Sequence, residues 1–70
     1  MSIRFYKLFD LLNRRDILKT ELQKDLKLSP STMAKLSANK PVSLEIINRL
    51  CEYLDCQPGD LMEYHKNKKL

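Results

Sequence analysis

This 70-residue chain has few of the residues that break helices or cross-link small folds. It contains one glycine, two cysteines, one histidine and no tryptophan. Valine and threonine are scarce, and no stretch alternates between apolar and polar residues, so we do not expect strands. Leucine, lysine, glutamate, aspartate and arginine are abundant, which favours a single all-α domain.

The residues needed for catalysis or metal binding are also sparse. Cys51 and Cys56 lie five positions apart with only the distant His65, which favours neither a disulfide framework nor a zinc site. No Ser-His-Asp or Cys-His pairing and no glycine-rich phosphate loop occurs, so we expect no enzyme activity, no cofactor and no small-molecule substrate. The N-terminus has no signal peptide or long apolar run, which predicts a cytoplasmic protein without a membrane partner.

Charge divides the chain into three parts. Residues 1–40 carry a net charge of +5, residues 41–65 a net charge of −4, and residues 66–70 a net charge of +3. The last part has nothing to bury, so we predict one domain over 1–65 and a basic disordered tail over 66–70. A basic first half beside an acidic second half suggests that one end of the domain faces a polyanion.

Two helices are predicted in the first part of the chain. Phe5, Leu8, Phe9 and Leu12 follow the i, i+3, i+4, i+7 spacing of one helical face, which predicts a helix over about 4–14. A capping box, in which Thr20 caps the helix and Gln23 bonds back to it, then predicts a second helix over about 20–26.

The third helix has the strongest local signals. Ser29 is a good N-cap, and Pro30 falls at the first helical position, where its missing N–H costs nothing. Met33 and Leu36 share one face, which we expect to be buried together with the preceding Leu28. The opposite face carries hydrogen-bond donors: Ser31, Thr32 and Lys35.

The second half is predicted to add two more helices. Ser43 caps a fourth helix, whose apolar residues keep helical spacing to about residue 54. We expect Glu45, Arg49 and Glu52 to form its solvated face. After a turn, Pro58 opens a last short helix that holds Leu61 and Met62.

The second and third helices, joined by residues 27–29, have the spacing of a helix-turn-helix. Around it stand Phe5-Tyr6-Lys7-Leu8, Lys19-Thr20-Glu21-Leu22, Leu28 through Leu36, Lys40 through Ile47, and Gly59-Asp60-Leu61-Met62. This ordered set, over about residues 5–64, resembles the Cro/C1-type (XRE-like) regulators of phages and bacteria, in particular their short single-domain members. The resemblance implies a five-helix, lambda-repressor-like domain that binds double-stranded DNA with its third helix in the major groove.

Two positions depart from the pattern of that family. Lys27 stands in the turn, and Asn39 after the third helix, where the family often has glycine in a backbone conformation with positive φ. A lysine that keeps this conformation costs about 1 kcal/mol, and asparagine costs less.

The positions of residues on the predicted helices also suggest roles for them. The exposed N-terminal half of the third helix supplies base-reading residues: Ser31, Thr32 and Lys35. Helix ends beside it supply phosphate contacts: Lys19, Thr20, Ser29, Asn39 and Lys40. A weak homodimer, formed in solution or only on DNA, would pair through the acidic half: Tyr53, Leu61, Met62 and Tyr64. Burial in the domain's own core is the alternative for Leu61 and Met62.

The predicted function is sequence-specific DNA binding by a transcriptional repressor that occupies an operator and is nucleoid-associated through its DNA. The main alternative is a protein-interaction or antitoxin-like adaptor, in which the acidic second half of a helix-turn-helix scaffold binds a partner protein. RNA binding ranks third, because the sequence offers no platform of exposed aromatic residues for stacking.

Overall fold

A computed structural model of the chain describes residues 2–66 and contains four α-helices among them. The helices are α1 (Tyr6–Arg14), α2 (Lys19–Leu26), α3 (Pro30–Ser37) and α4 (Leu44–Leu54). A 3₁₀ turn, Pro58–Asp60, follows α4. Two short strands, β1 (Ile3–Arg4) and β2 (Glu63–Tyr64), pair in antiparallel register with Ile3 opposite Tyr64. The first four predicted helices therefore exist, the fourth capped by Ser43 as predicted. Helix α1 is two residues shorter than predicted, because β1 occupies its expected start.

One apolar core holds the helices together. Each helix contributes at least one buried leucine, and α4 supplies the largest share with Ile47, Leu50 and Leu54. Phe5, just before α1, is only 2% exposed and joins this core, whereas Phe9 is partly buried against it. The apolar faces predicted from helical spacing are thus buried, except at the first residue of α4. Leu44 was expected to complete the core with the rest of that face and is instead 79% exposed.

The start of α2 differs from the prediction. The helix begins at Lys19 with Leu18 in the capping position, so Thr20 lies inside the first turn. The backbone N–H of Leu18 donates to the carboxylate of Glu21 at 3.3 Å, and this bond takes the place of the predicted Thr20–Gln23 capping box. The predicted cap, Thr20, thus lies two residues after the actual one, Leu18.

The five-helix count is wrong for the described residues. Only the 3₁₀ turn stands where the fifth helix was predicted, and the carbonyl of Leu61, just after it, accepts from the backbone N–H of Leu8 at 3.0 Å. Leu61 is fully buried, and the chain then extends into β2. The expectation of no strands fails here too, because a two-residue strand is too short to show alternation.

Four non-glycine residues adopt positive φ, and each lies just beyond the end of a helix. Lys27 (φ 53°) and Asn39 (φ 57°) confirm the conformations expected at the two glycine positions of the family. Asp16 (φ 56°) and Asp55 (φ 50°) adopt the same left-handed conformation after α1 and α4. All four helices therefore end in a left-handed residue without glycine, and each end carries the steric cost of a Cβ.

Within residues 2–66, no helix has the length and apolar character needed to span a bilayer. The predicted disordered tail lies outside the described residues, except for Lys66.

Candidate nucleic-acid interface

Helix α3 is fixed on the core by one face. The Ser29 hydroxyl accepts from the Thr32 backbone N–H at 3.1 Å, and Pro30 occupies the first helical position, both as predicted. Leu28, Met33 and Leu36 are 5%, 8% and 0% exposed. A helix of eight residues is too short to be stable alone, so these buried side chains hold it in place.

The outer face of α3 is a stripe of small side chains and one lysine. Ser31, Ala34, Lys35 and Ala38 are all exposed and follow i, i+3, i+4, i+7 spacing. Thr32 is half-buried at the edge of this stripe. The sequence analysis missed Ala34 as part of the outer face, although its spacing from Ser31 was sufficient to place it there.

The turn between α2 and α3 is held from outside by α4. The Leu28 N–H donates to the Gln23 carbonyl at 2.9 Å across the left-handed Lys27. The guanidinium of Arg49, on α4, donates to the carbonyl of Leu26 at the end of α2. Arg49 is therefore half-buried, and its predicted place on a solvated face is wrong. A lone arginine on an acidic helix gave no signal that it would bond to a distant helix end.

A second contact also joins α4 to α2. The Tyr53 hydroxyl donates to the carboxylate of Asp25. This hydrogen bond, followed by desolvation and the negative charges of Asp25 and Glu21, raises the pKa of Tyr53 above its ordinary value. Because Glu21 accepts from Leu18, both acidic residues of α2 are bonded within the domain, beside exposed lysines on the same helix.

A shallow basic groove runs beside the turn. It is lined by Thr20, Gln23, Lys24, Lys27 and Leu28, so the structure brings the predicted phosphate contact Thr20 together with two lysines. Lys19 is placed differently, since its ammonium lies 4.5 Å from the centroid of the Phe9 ring. This cation–π contact holds Lys19 toward α1.

Asn39 has a structural contact besides its predicted role. Its side-chain oxygen accepts from the backbone N–H of Phe5 at 2.7 Å, across 34 residues of sequence. This bond connects the end of α3 to the start of α1. It uses only the side-chain oxygen of Asn39, so the amide NH₂ can still donate to another group. The neighbouring Lys40 is exposed, and its backbone N–H bonds to the Lys35 carbonyl at 2.8 Å.

The four residues predicted to form a dimer contact do not share one environment. Leu61 is 0% exposed, so the alternative of burial in the domain's own core holds for it: it completes the core between α1 and α4. Met62 is half-buried, whereas Tyr53 and Tyr64 are 38% and 67% exposed. Tyr6 is 54% exposed, and its ring meets the ring of His65 edge-on, with the ring centroids 5.8 Å apart. Neither the exposure of Tyr6 nor this contact was predicted from the sequence.

The two cysteines lie at the end of α4. Both are free and half-buried, and the Cys56 N–H donates to the Cys51 carbonyl at 3.1 Å. Burial, and then the neighbouring Cys51, raise the pKa of the Cys56 thiol, which keeps it protonated near neutral pH. Among residues 2–66, no group of three or more metal-ligating side chains comes together.

Comparisons with known proteins agree with this geometry. Residues 7–67 match the model of the Cro/C1-type HTH DNA-binding domain, a class of DNA-binding domain and not of enzyme. An uncharacterized HTH-type transcriptional regulator of Bacillus subtilis, YozG, is 28% identical over 60 residues, covering 83% of this chain and 71% of that protein. The crystal structure of the transcriptional regulator VanUg superposes with a TM-score of 0.90 at 41% identity, covering 94% of this chain and 88% of that one. The chain belongs to the Cro/C1-type helix-turn-helix family of DNA-binding domains.

Proposed function

We propose that this protein binds one duplex DNA sequence with α3 in the major groove and represses transcription by occupying an operator that overlaps a promoter. The observation that carries the proposal is the exposed stripe on α3, held rigidly by a buried inner face and flanked by exposed lysines. Helices presented in this way lie in the major groove, where their N-terminal residues contact base edges. YozG and VanUg, both described as transcriptional regulators, support the regulatory part.

We assign base reading to three side chains of α3, two in its first turn and Lys35 one turn later. Lys35 is exposed and can donate to guanine O6 and N7. Ser31 is exposed one turn earlier and can contact any of several bases, and Thr32 lies beside it. Three or four reading side chains specify only a few base pairs.

Phosphate contacts position the domain without reading sequence. We assign this role to the side chains that flank the outer face of α3: Lys19, Thr20, Ser29, Asn39 and Lys40. The groove beside the turn adds Lys24 and Lys27 to this set. Lys19 must leave the Phe9 ring to reach a phosphate, which costs about 0.5–1 kcal/mol, so its contribution is the smallest of the lysines.

We also propose that two copies pair on DNA, because one short reading helix cannot select a site among genomic competitors. Tyr64, Tyr53 and Met62 are the contact residues, with Leu61 serving the core instead. Two copies would occupy half-sites about 34–36 Å apart. Sedimentation of the complex on its preferred duplex tests this: two chains per duplex are expected, and one chain with an asymmetric footprint refutes pairing.

Selection of bound duplexes from a random pool tests the main proposal. We expect the selected duplexes to share a motif, and we expect that motif, placed across a promoter, to lower transcription when the protein is added. Binding that is equal on all duplexes contradicts the proposal and favours the protein-interaction alternative, whose surface would be the acidic second half with its exposed Leu44.

A further inference from the structure

Two hydroxyl groups meet at the start of the reading helix. The Ser29 and Thr32 hydroxyl oxygens lie 3.0 Å apart, within hydrogen-bond distance. Ser29 also accepts from the Thr32 backbone N–H at 3.1 Å, so its oxygen serves the helix cap at the same time. The side chain of Thr32 is therefore held in one orientation before any DNA arrives.

The hydrogens of this pair can be counted. Two hydroxyls carry two hydrogens, and the bond between them uses one, so a single hydrogen remains to donate outward. If Ser29 donates it to a DNA phosphate, which can only accept, then the hydroxyl hydrogen of Thr32 points to Ser29. Ser29 then accepts two bonds and donates one, which satisfies it completely. Donation by Thr32 to a base leaves Ser29 with no hydrogen for a phosphate.

In the first arrangement, Thr32 presents only lone pairs and its methyl group to the DNA. Guanine offers only the acceptors O6 and N7 in the major groove and gains nothing from such a side chain. Adenine N6–H₂ and cytosine N4–H₂ can each donate to the Thr32 oxygen, so this hydrogen bond does not separate an A·T pair from a G·C pair. The thymine C5-methyl does, because an A·T pair offers it for apolar contact and a G·C pair has no such group.

We propose that Thr32 is a specificity-determining residue that prefers an A·T pair and reads it through the thymine methyl, with its hydroxyl committed to Ser29. This rests on the proposed function, since it needs α3 in the major groove. It extends that proposal by naming the base pair that one residue recognises and the feature of it that is read.

The test replaces each thymine of the selected duplex, one at a time, by uracil, which lacks the C5-methyl and pairs in the same way. At one position the wild-type protein should lose about fourfold in affinity, the value of one buried methyl group. Thr32→Ser keeps the hydroxyl and removes the methyl, so it should bind thymine and uracil equally at that position. Thr32→Val keeps a methyl and removes the hydroxyl, so it should still prefer thymine.

A control must show that the preference for thymine over uracil comes from Thr32 and not from another base-reading residue. Lys35→Ala should bind more weakly but keep the preference for thymine at that position, and thermal melting shows whether each variant is folded. The inference is overturned if Thr32→Ser still prefers thymine, if folded Thr32→Val does not, or if uracil has no effect at any position of a shared motif. Those results leave the proposed function standing, whereas a pool without a shared motif overturns both.

Discussion

Replacing Asn39 separates a structural contact from a DNA contact, because the two use different atoms of one side chain. The side-chain oxygen accepts from the Phe5 N–H at 2.7 Å, in a partly buried place. Leaving such an N–H without a partner costs about 1–3 kcal/mol. Asn39 also has φ 57°, and a Cβ residue without a helpful polar side chain loses about 1 kcal/mol in that conformation.

Three substitutions divide these contributions. Asn39→Ala loses the acceptor and also the polar side chain that eases the positive φ, so we expect the free energy of unfolding to fall by about 2–4 kcal/mol. Asn39→Gly loses the acceptor and relieves the strain, and should fall by about 1–2 kcal/mol. Asn39→Asp keeps an acceptor beside the start of α1, where negative charge is favourable, so it should stay within about 0.5 kcal/mol of wild type.

Urea unfolding of the wild type and the three variants measures the changes in the free energy of unfolding. DNA titration of the Asn39→Asp variant tests the phosphate contact. Its carboxylate cannot donate to a phosphate, so affinity should fall about tenfold on every sequence, the value of one hydrogen bond to a charged group. If Asn39→Ala is as stable as wild type, the bond to Phe5 contributes nothing. If Asn39→Asp binds DNA as tightly as wild type, Asn39 is not a phosphate contact.

Three further predictions follow from the site. Lys35→Ala should weaken binding to the preferred duplex by about 1–3 kcal/mol and relax selectivity at one base position, measured by titration of single-base variants. Lys40→Ala should weaken binding equally on all sequences and reduce the salt slope by about one, with a smaller effect for Lys19→Ala because of its contact with the Phe9 ring. Tyr53→Phe should lower stability near neutral pH, and this difference should disappear at alkaline pH, as shown by urea unfolding at several pH values.

The direction of the last effect comes from the raised pKa of Tyr53. The neutral phenol donates to Asp25, so its contribution is fully present below the ordinary pKa of 10.0 and is lost as the pH rises through the raised value. A difference between the two proteins that persists above that pH contradicts the assignment.

A lysine away from α3 provides the control for the lysine-to-alanine variants. Lys7 is exposed on α1 and donates to the Gly59 carbonyl at 3.2 Å, in a cleft that it shares with Asp55 and Asp60. Lys7→Ala should leave the salt slope unchanged. Equal losses for Lys35→Ala on specific and random duplexes would make Lys35 a phosphate contact, and an unchanged slope for Lys40→Ala would remove it from the interface.

Local signals in the sequence were sufficient to predict α3 and its orientation. Ser29, Pro30 and the apolar spacing of Met33 and Leu36 act within one helix, so each could be recognised without knowing what lies nearby. The left-handed conformations at Lys27 and Asn39 were expected from the resemblance to the family, since neither residue type requires positive φ by itself.

Contacts between distant segments could not be predicted. Arg49 bonds to Leu26 across 23 residues and Asn39 to Phe5 across 34, and no local pattern indicates such partners. The helical signal at Pro58 produces only a 3₁₀ turn, and the Leu61 carbonyl that follows it bonds to the distant Leu8 N–H. No local pattern indicates that partner either.

The most direct test of the proposed function is an NMR titration of the ¹⁵N-labelled protein with the duplex selected from the random pool. We expect the largest amide shifts in α3, at the start of α2 and at Asn39 and Lys40, with smaller shifts at the proposed pairing residues Tyr53, Met62 and Tyr64. Glu45, exposed at the start of α4, should shift little. A scrambled duplex should give smaller shifts in α3. Shifts centred on α4, or equal shifts with both duplexes, would contradict sequence reading by α3.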